Sequence, residues 1–129
     1  MLPTSSTEKS KERQLFAGML SALDVRVKHI VDELKVQSMW EKTMYIFITD
    51  NGGNLAGGSN NLPHRGGKYT FWEGGTRGTS FIHSPLLGAN PAPEWFGIAH
   101  AVDWYATMAA LAGASMDGTG PLPADGVHI

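Results

Sequence analysis

Asp50 and Asn51 stand side by side directly after a short apolar run, Met44-Tyr-Ile-Phe-Ile-Thr49. A carboxylate and an amide oxygen placed together are hard donors of the kind that Ca²⁺ or Mg²⁺ takes. The same pair suits an Asx-type turn, because Asp-Asn and Asn-Gly steps favour turns on their own. Calcium takes roughly six to eight oxygens, so further ligands must come from elsewhere in the chain, from solvent and substrate, or from missing sequence. Lys68 follows 18 residues after Asp50, within His64-Arg65-Gly66-Gly67-Lys68. Flanking glycines let a backbone approach a ligand closely, and an ammonium there is a point charge for an anionic oxygen. The competing reading is a solvated loop lysine. The G-x-x-x-x-G-K-[ST] spacing of a phosphate-binding loop is absent.

Glu73 and Arg77 sit four residues apart in Trp72-Glu-Gly-Gly-Thr-Arg-Gly78. Their expected role is structural, as an ion pair or as partners of backbone groups that shape the loop. The histidines 29, 64, 83, 100 and 128 make no zinc spacing, and only His64 lies beside the other candidates. Ser84 is not in a G-x-S-x-G elbow, so a serine hydrolase has little support.

These residues need a scaffold. Leu15, Phe16, Met19, Leu20, Leu23, Val27, Ile30, Val31 and Leu34 recur at helical spacing, which predicts an amphipathic helix packed on a neighbour from about residue 10 to 37. Ser5 and Glu8 have capping-box spacing at its start. Asp24, at the edge of the apolar stripe, is expected to bond a neighbouring loop. Met44–Thr49 reads as a strand covered on both faces, the signature of a parallel sheet. In open α/β sheets, ligands bind beyond the carboxyl ends of the strands, which is where Asp50 and Asn51 fall. Residues 52–69 read as a long loop. Gly78–His83 is a second strand, and residues 84–93 form a turn-rich connection. Asp103 is placed to N-cap a helix over residues 104–112, with Gly113 at its C-cap. The segment 114–129 looks like a linker. This divides the chain into a flexible start (1–9), a partial domain (10–113) and a tail.

Of the sixteen glycines, nine fall between Gly52 and Gly78, and Arg65, Lys68 and Arg77 are the only Lys or Arg after Lys42. That concentration marks the loop as the place for a site. The remaining composition mostly excludes. The chain has 129 residues, 17% charged, with a formal charge of −2, which argues against phosphate-backbone contacts and nucleic-acid partners. No stretch approaches the roughly 20 apolar residues of a membrane span. The N-terminus lacks the apolar centre of a signal peptide. There is no cysteine, so disulfides, thiolate metal sites and cysteine nucleophiles are absent.

The ordered series Thr49-Asp-Asn-Gly-Gly53, Leu55-Ala-Gly-Gly58, Leu62-Pro63-x-Arg65-Gly66-x-Lys68, Trp72-Glu-Gly-Gly75-x-Arg77-Gly78 and Ser84-Pro-Leu-Leu87 resembles the type I sulfatases, most closely the arylsulfatase B-like group. The likeness extends upstream to residues 16–24 and downstream to Asp103-Trp104 and Asp125-Gly126. It implies a partial α/β sandwich of the alkaline-phosphatase type, with few strands and flanking helices. It also implies that Asp50 and Asn51 ligate calcium, that Lys68 contacts the substrate's sulfate, and that Glu73 and Arg77 support the loop. Substrates in this family are sulfated small molecules or glycans. Members are commonly lysosomal, secreted or periplasmic.

The family's nucleophile is a formylglycine made in a C/S-x-P-x-R motif, which this sequence does not contain. Its N-terminal aspartate pair and the upstream lysine and histidines have no match either. The resemblance therefore implies the second half of a catalytic domain, inactive alone, with an incomplete calcium ligand set and apolar surface left open. Two other readings stay open: a non-catalytic remnant that binds a metal, an anion or a partner, and a phosphate ester hydrolase of the same superfamily. The Trp-Glu-Gly-Gly-x-Arg loop favours the sulfatase branch over the latter.

Overall fold

A computed structural model of the chain describes residues 6–88, 94–114 and 125–129. They fall in two compact units, Met1–Pro91 and Ala92–Ile129. The first holds helix α1 (Ser6–Val36), strand β1 (Tyr45–Ile48), a one-turn helix α2 (Glu73–Thr76) and strand β2 (Ser80–His83). The second holds helix α3 (Asp103–Leu111). Ser5 of the capping box, residues 89–93 of the connection and 115–124 of the tail lie outside the described residues.

α1 runs for 31 residues, about 46 Å at ~1.5 Å per residue. Its C-terminus closes in a Schellman motif. Met39 N–H bonds Leu34 O at 2.9 Å and Ser38 N–H bonds Lys35 O at 3.1 Å, with Ser38 at φ 56°. The chain then turns through a short 3₁₀ segment, Trp40–Lys42, into β1. Trp40 and Val31 are buried, and the Trp40 ring meets the His83 ring at 4.7 Å. Lys35 sits over the other part of this corner, its Nζ 5.6 Å from the Trp40 ring. At the opposite end, Arg13 Nη1 donates to Gly58 O at 2.8 Å, which fastens α1 to the glycine loop.

Between these two fastenings the helix is open. Leu15 is 68% exposed and Met19 63%, and Leu20, Leu23 and Ile30 are exposed as well. The expectation that this apolar stripe packs on a neighbour is thus met only at its ends. Asp24 makes no hydrogen bond among the described residues; it lines an open groove of about 590 Å³ with Leu20, Leu23, Phe47 and Phe81.

β1 and β2 pair antiparallel, with Tyr45 opposite His83 and Phe47 opposite Phe81. This corrects the expectation of a parallel, doubly covered strand. The described sheet has two strands, and β1 is half-buried while β2 is exposed. An apolar run shows what a strand can bury, not which way its neighbour runs or what covers it. The Phe47 and Phe81 rings stack at 5.1 Å, and Thr49 extends the ladder through its N–H to Thr79 O at 3.0 Å. Ser84, buried, closes the other end: its hydroxyl donates to Thr43 O at 2.6 Å and accepts from Leu86 N–H at 3.2 Å.

In the second unit, α3 starts at Asp103 and ends in a Schellman motif with Gly113 at φ 69°; Ala114 N–H bonds Ala109 O at 2.9 Å and Gly113 N–H bonds Ala110 O at 3.0 Å. The expected N-cap differs. The buried Asp103 carboxylate accepts from His100 N–H at 2.7 Å and Val127 N–H at 3.0 Å, so it joins the helix start to the tail. These bonds hold its carboxyl below the usual carboxylate range.

Candidate functional site

Everything proposed for the site hangs on the segment that leaves β1. Thr49 and Thr79 are cross-bonded, with Thr79 N–H donating to Thr49 Oγ1 at 2.7 Å, so the start of Asp50-Asn51 is fixed to the strand pair. Gly52 N–H then bonds Gly75 O at 2.8 Å. That approach is so close that a Cβ on Gly52 would stand 1.8 Å from Gly74 O. The glycines of Trp-Glu-Gly-Gly are therefore the wall against which the Asp50–Gly53 backbone lies, and both Gly74 and Gly75 are buried.

Gly53 is the hub. Its carbonyl accepts Lys68 N–H at 3.1 Å and Asn61 Nδ2 at 2.9 Å, while its N–H donates to Asn61 Oδ1 at 2.9 Å. Asn61 Nδ2 also reaches Gly66 O at 3.2 Å. The loop thus closes on itself and sets the Lys68 backbone against the residue three places after Asp50. Gly66 sits at φ 80°, a left-handed conformation that glycine adopts without a Cβ clash.

The charges sort cleanly. Arg65 stacks on the Trp72 ring at 3.7 Å. Arg77 pairs with Glu73 at 3.8 Å, and Glu73 also meets His64 Nδ1 at 3.1 Å. Glu73 thus joins Arg77 to the loop at His64. Both are exposed, so their pairing is worth little in stability, on the order of 1 kcal/mol or less. Lys68 has no acidic partner among the described residues; its Nζ lies 5.5 Å from the Tyr69 ring, and the side chain is exposed. Arg65 also lacks an acidic partner but lies close on the Trp72 ring, so among the described loop cations Lys68 is the less engaged.

Asp50 is exposed and makes no side-chain hydrogen bond or ion pair among the described residues. Asn51, half-buried, uses its amide nitrogen on Gly52 O at 2.8 Å, which leaves its carbonyl oxygen unengaged. Two hard oxygens at a strand end fit part of a calcium shell. Among the described residues no group of three His, Asp or Glu side chains gathers to complete one. Ser84 Oγ is spent on backbone bonds to Thr43 and Leu86, and it bonds no histidine among the described residues. No described helix is long and apolar enough to cross a membrane.

Asn61 and Thr79, which no sequence motif marked, build the site through their bonds to Gly53, Gly66 and Thr49. The signal for Asn61 was weak: an asparagine in an Asn/Gly-rich loop reads as turn chemistry, and its bonds depend on backbone eight residues away.

The sulfatase family model matches residues 3–114. The chain belongs to the sulfatase family. Arylsulfatase J of Mus musculus is 39% identical over 105 residues, which is 81% of this chain and 17% of that protein. A sulfatase of Formosa agariphila is 31% identical over 122 residues, covering 88% of this chain and 22% of that one. The chain thus spans about a fifth of the length of these relatives. Among solved structures, Ps i-CgsB in complex with k-i-k-neocarrahexaose superposes with a TM-score of 0.79 at 38% identity, over 91% of this chain and 25% of that one. A second structure of Ps i-CgsB gives 0.79 at 34% identity, over 98% and 29%. The two strands and flanking helices are accordingly part of the α/β, alkaline-phosphatase-like sulfatase fold.

Proposed function

We propose that this chain supplies the lysine loop and part of a calcium site for hydrolysis of a sulfate ester, of a small aryl molecule or a glycan. The observation that carries this reading is the Gly53 hub. It ties Asp50 and Asn51, two unengaged oxygen donors, to Lys68, a cation without an acidic partner, across a single backbone carbonyl. A sulfate monoester carries negative charge on its free oxygens. Lys68 would hold one of those oxygens in place before and during S–O cleavage, charge that is already positioned and costs no reorganisation. Asp50 and Asn51 would hold calcium, which when bound supplies Lewis-acid polarisation of the sulfate. Glu73, His64 and Arg77 keep the loop that carries Lys68 in shape. The k-i-k-neocarrahexaose named with Ps i-CgsB supports a glycan among the candidate substrates.

No nucleophile follows from these residues. The sequence holds neither cysteine nor a serine with Pro two and Arg four positions on. The chain alone is therefore a binding half that does not turn over.

With 4-nitrocatechol sulfate and Ca²⁺ present, the wild-type chain is expected to shift its Lys68 amide resonance without releasing 4-nitrocatechol, and Lys68→Ala to lose the response. A wild-type response no larger than that of Lys68→Ala contradicts the binding role. Release of 4-nitrocatechol above blank, lost in Lys68→Ala, contradicts the inactivity.

A further inference from the structure

We infer that Asn61 is the positioning residue of this site: its side-chain amide locks the calcium-side segment to the lysine-side loop, and so sets where the Lys68 ammonium stands relative to Asp50 and Asn51. The inference rests on the reading of Lys68 as the anion-binding group.

The geometry is unusually complete. Asn61 Oδ1 and Nδ2 bond the N–H and the C=O of Gly53, both at 2.9 Å, so the side chain pairs with Gly53 as a neighbouring strand would. The second amide hydrogen goes to Gly66 O at 3.2 Å. Both hydrogens and the oxygen of the amide are thereby engaged, on two segments that flank the site. Gly53 belongs to the run that leaves β1 with Asp50 and Asn51. Gly66 lies two residues before Lys68. The carbonyl of Gly53 takes Asn61 Nδ2 and Lys68 N–H together, so the bond that seats Lys68 and the bonds that seat Asn61 share one atom. A Cβ on Gly67 would fall 2.7 Å from that oxygen and 2.8 Å from Asn61 Nδ2, so the sequence keeps the space between them clear.

An asparagine has the reach to make all three bonds at once. Aspartate keeps an acceptor for Gly53 N–H but turns a carboxylate oxygen toward two carbonyls, where no donor remains. Alanine leaves the N–H of Gly53 and the carbonyl of Gly66 without this partner.

Two linked measurements test it on the intact chain. Amide hydrogen exchange compares Lys68 and Gly53 with the β1–β2 ladder in wild type, Asn61→Ala and Asn61→Asp. Lys68 in both variants, and Gly53 in Asn61→Ala, should exchange about 5- to 10-fold faster, the scale of one lost hydrogen bond. The ladder amides between Tyr45 and His83 should be unchanged, which establishes that the variants fold. Titration with inorganic sulfate then follows the Lys68 amide, with Lys68→Ala as reference. Wild type should respond in a Lys68-dependent manner, and both Asn61 variants should bind sulfate at least 5-fold more weakly, with Asn61→Gln recovering part of the loss. Unchanged exchange at Lys68, or wild-type sulfate affinity in Asn61→Ala, overturns the positioning role while Lys68 stands. No Lys68-dependent response in wild type removes the reading beneath it. Should Asn61→Ala lose the ladder as well, the decision passes to Asn61→Asp and Asn61→Gln. Wild-type sulfate affinity in Asn61→Asp overturns the inference, and a larger loss in Asp than in Gln supports it.

Discussion

The glycine loop and the long helix solve opposite problems. Residues 49–78 contain little apolar core, yet nearly every turn of their path is tied by a named bond: Thr49 to Thr79, Gly52 to Gly75, Gly53 to Asn61 and Lys68, Gly74 to Arg65. α1 is rich in large apolar side chains, yet among the described residues it is fastened chiefly at Arg13 and at the Trp40 corner, and much of its middle is exposed. The loop carries its own instructions, because hydrogen bonds and close backbone approaches are local and directional. The helix carries half of an instruction, because burial requires a second surface. A chain that spans a fifth of its relatives can therefore keep the shape of a site while leaving a helix stripe uncovered.

The sharpest way to break this contrast is Gly52→Ala. A methyl group 1.8 Å from Gly74 O cannot be accommodated without parting the two segments. We expect a loss of more than about 3 kcal/mol from the loop, read as collapse of amide protection at Gly53 and Lys68. Far-UV circular dichroism, dominated by α1, should barely change. Ser84→Ala comes next: it removes a donor to Thr43 O in a buried place and should cost about 1–3 kcal/mol by urea denaturation.

pH probes the second unit in the same terms. The Asp103 carboxyl is held below its ordinary value by the two backbone N–H groups it accepts from. Its contribution is fully present above the unfolded carboxylate range and is lost as pH falls through the lower folded value. Trp104 fluorescence should report release of the tail on acidification below about pH 4, the ordinary range of aspartate, and Asp103→Asn should remove that transition. The smallest effects belong to the open helix and to one buried hydroxyl. Leu20→Ser should change stability by no more than about 0.5 kcal/mol, as for an exposed site. Ser59→Ala should be neutral or slightly stabilising, since Ser59 Oγ is buried without a partner. A large loss in Leu20→Ser would show that the helix stripe is packed after all.

Much of this was legible in the residues themselves. The helical period of Leu15 to Leu34, the apolar run of β1, the Gly113 C-cap and the loop between Asp50 and Arg77 follow from spacing and residue type. The partner of β1 was not legible, because an apolar strand looks alike whether its neighbour runs parallel or antiparallel. The exposure of Leu15 and Met19 was not contained in their periodicity, which states only that they face one way. Asp103 shows a third limit: its type and place before a helix suggest a cap, but the tail backbone at Val127 takes one of its oxygens. Asn61 escaped for a related reason, since its role exists only once Gly53 and Gly66 have been brought to it.

We propose that Asp50 and Asn51 form part of a calcium shell on the segment tied to Lys68 through Gly53, held by a loop that folds without the rest of that shell. Calcium titration of the intact chain, followed at the Asp50, Asn51 and Gly53 amides, tests it most directly. We expect a saturable response with a weak dissociation constant, about 10⁻⁴–10⁻³ M or weaker for so few ligands, abolished in Asp50→Ala. A flat titration, or submicromolar affinity, would contradict it.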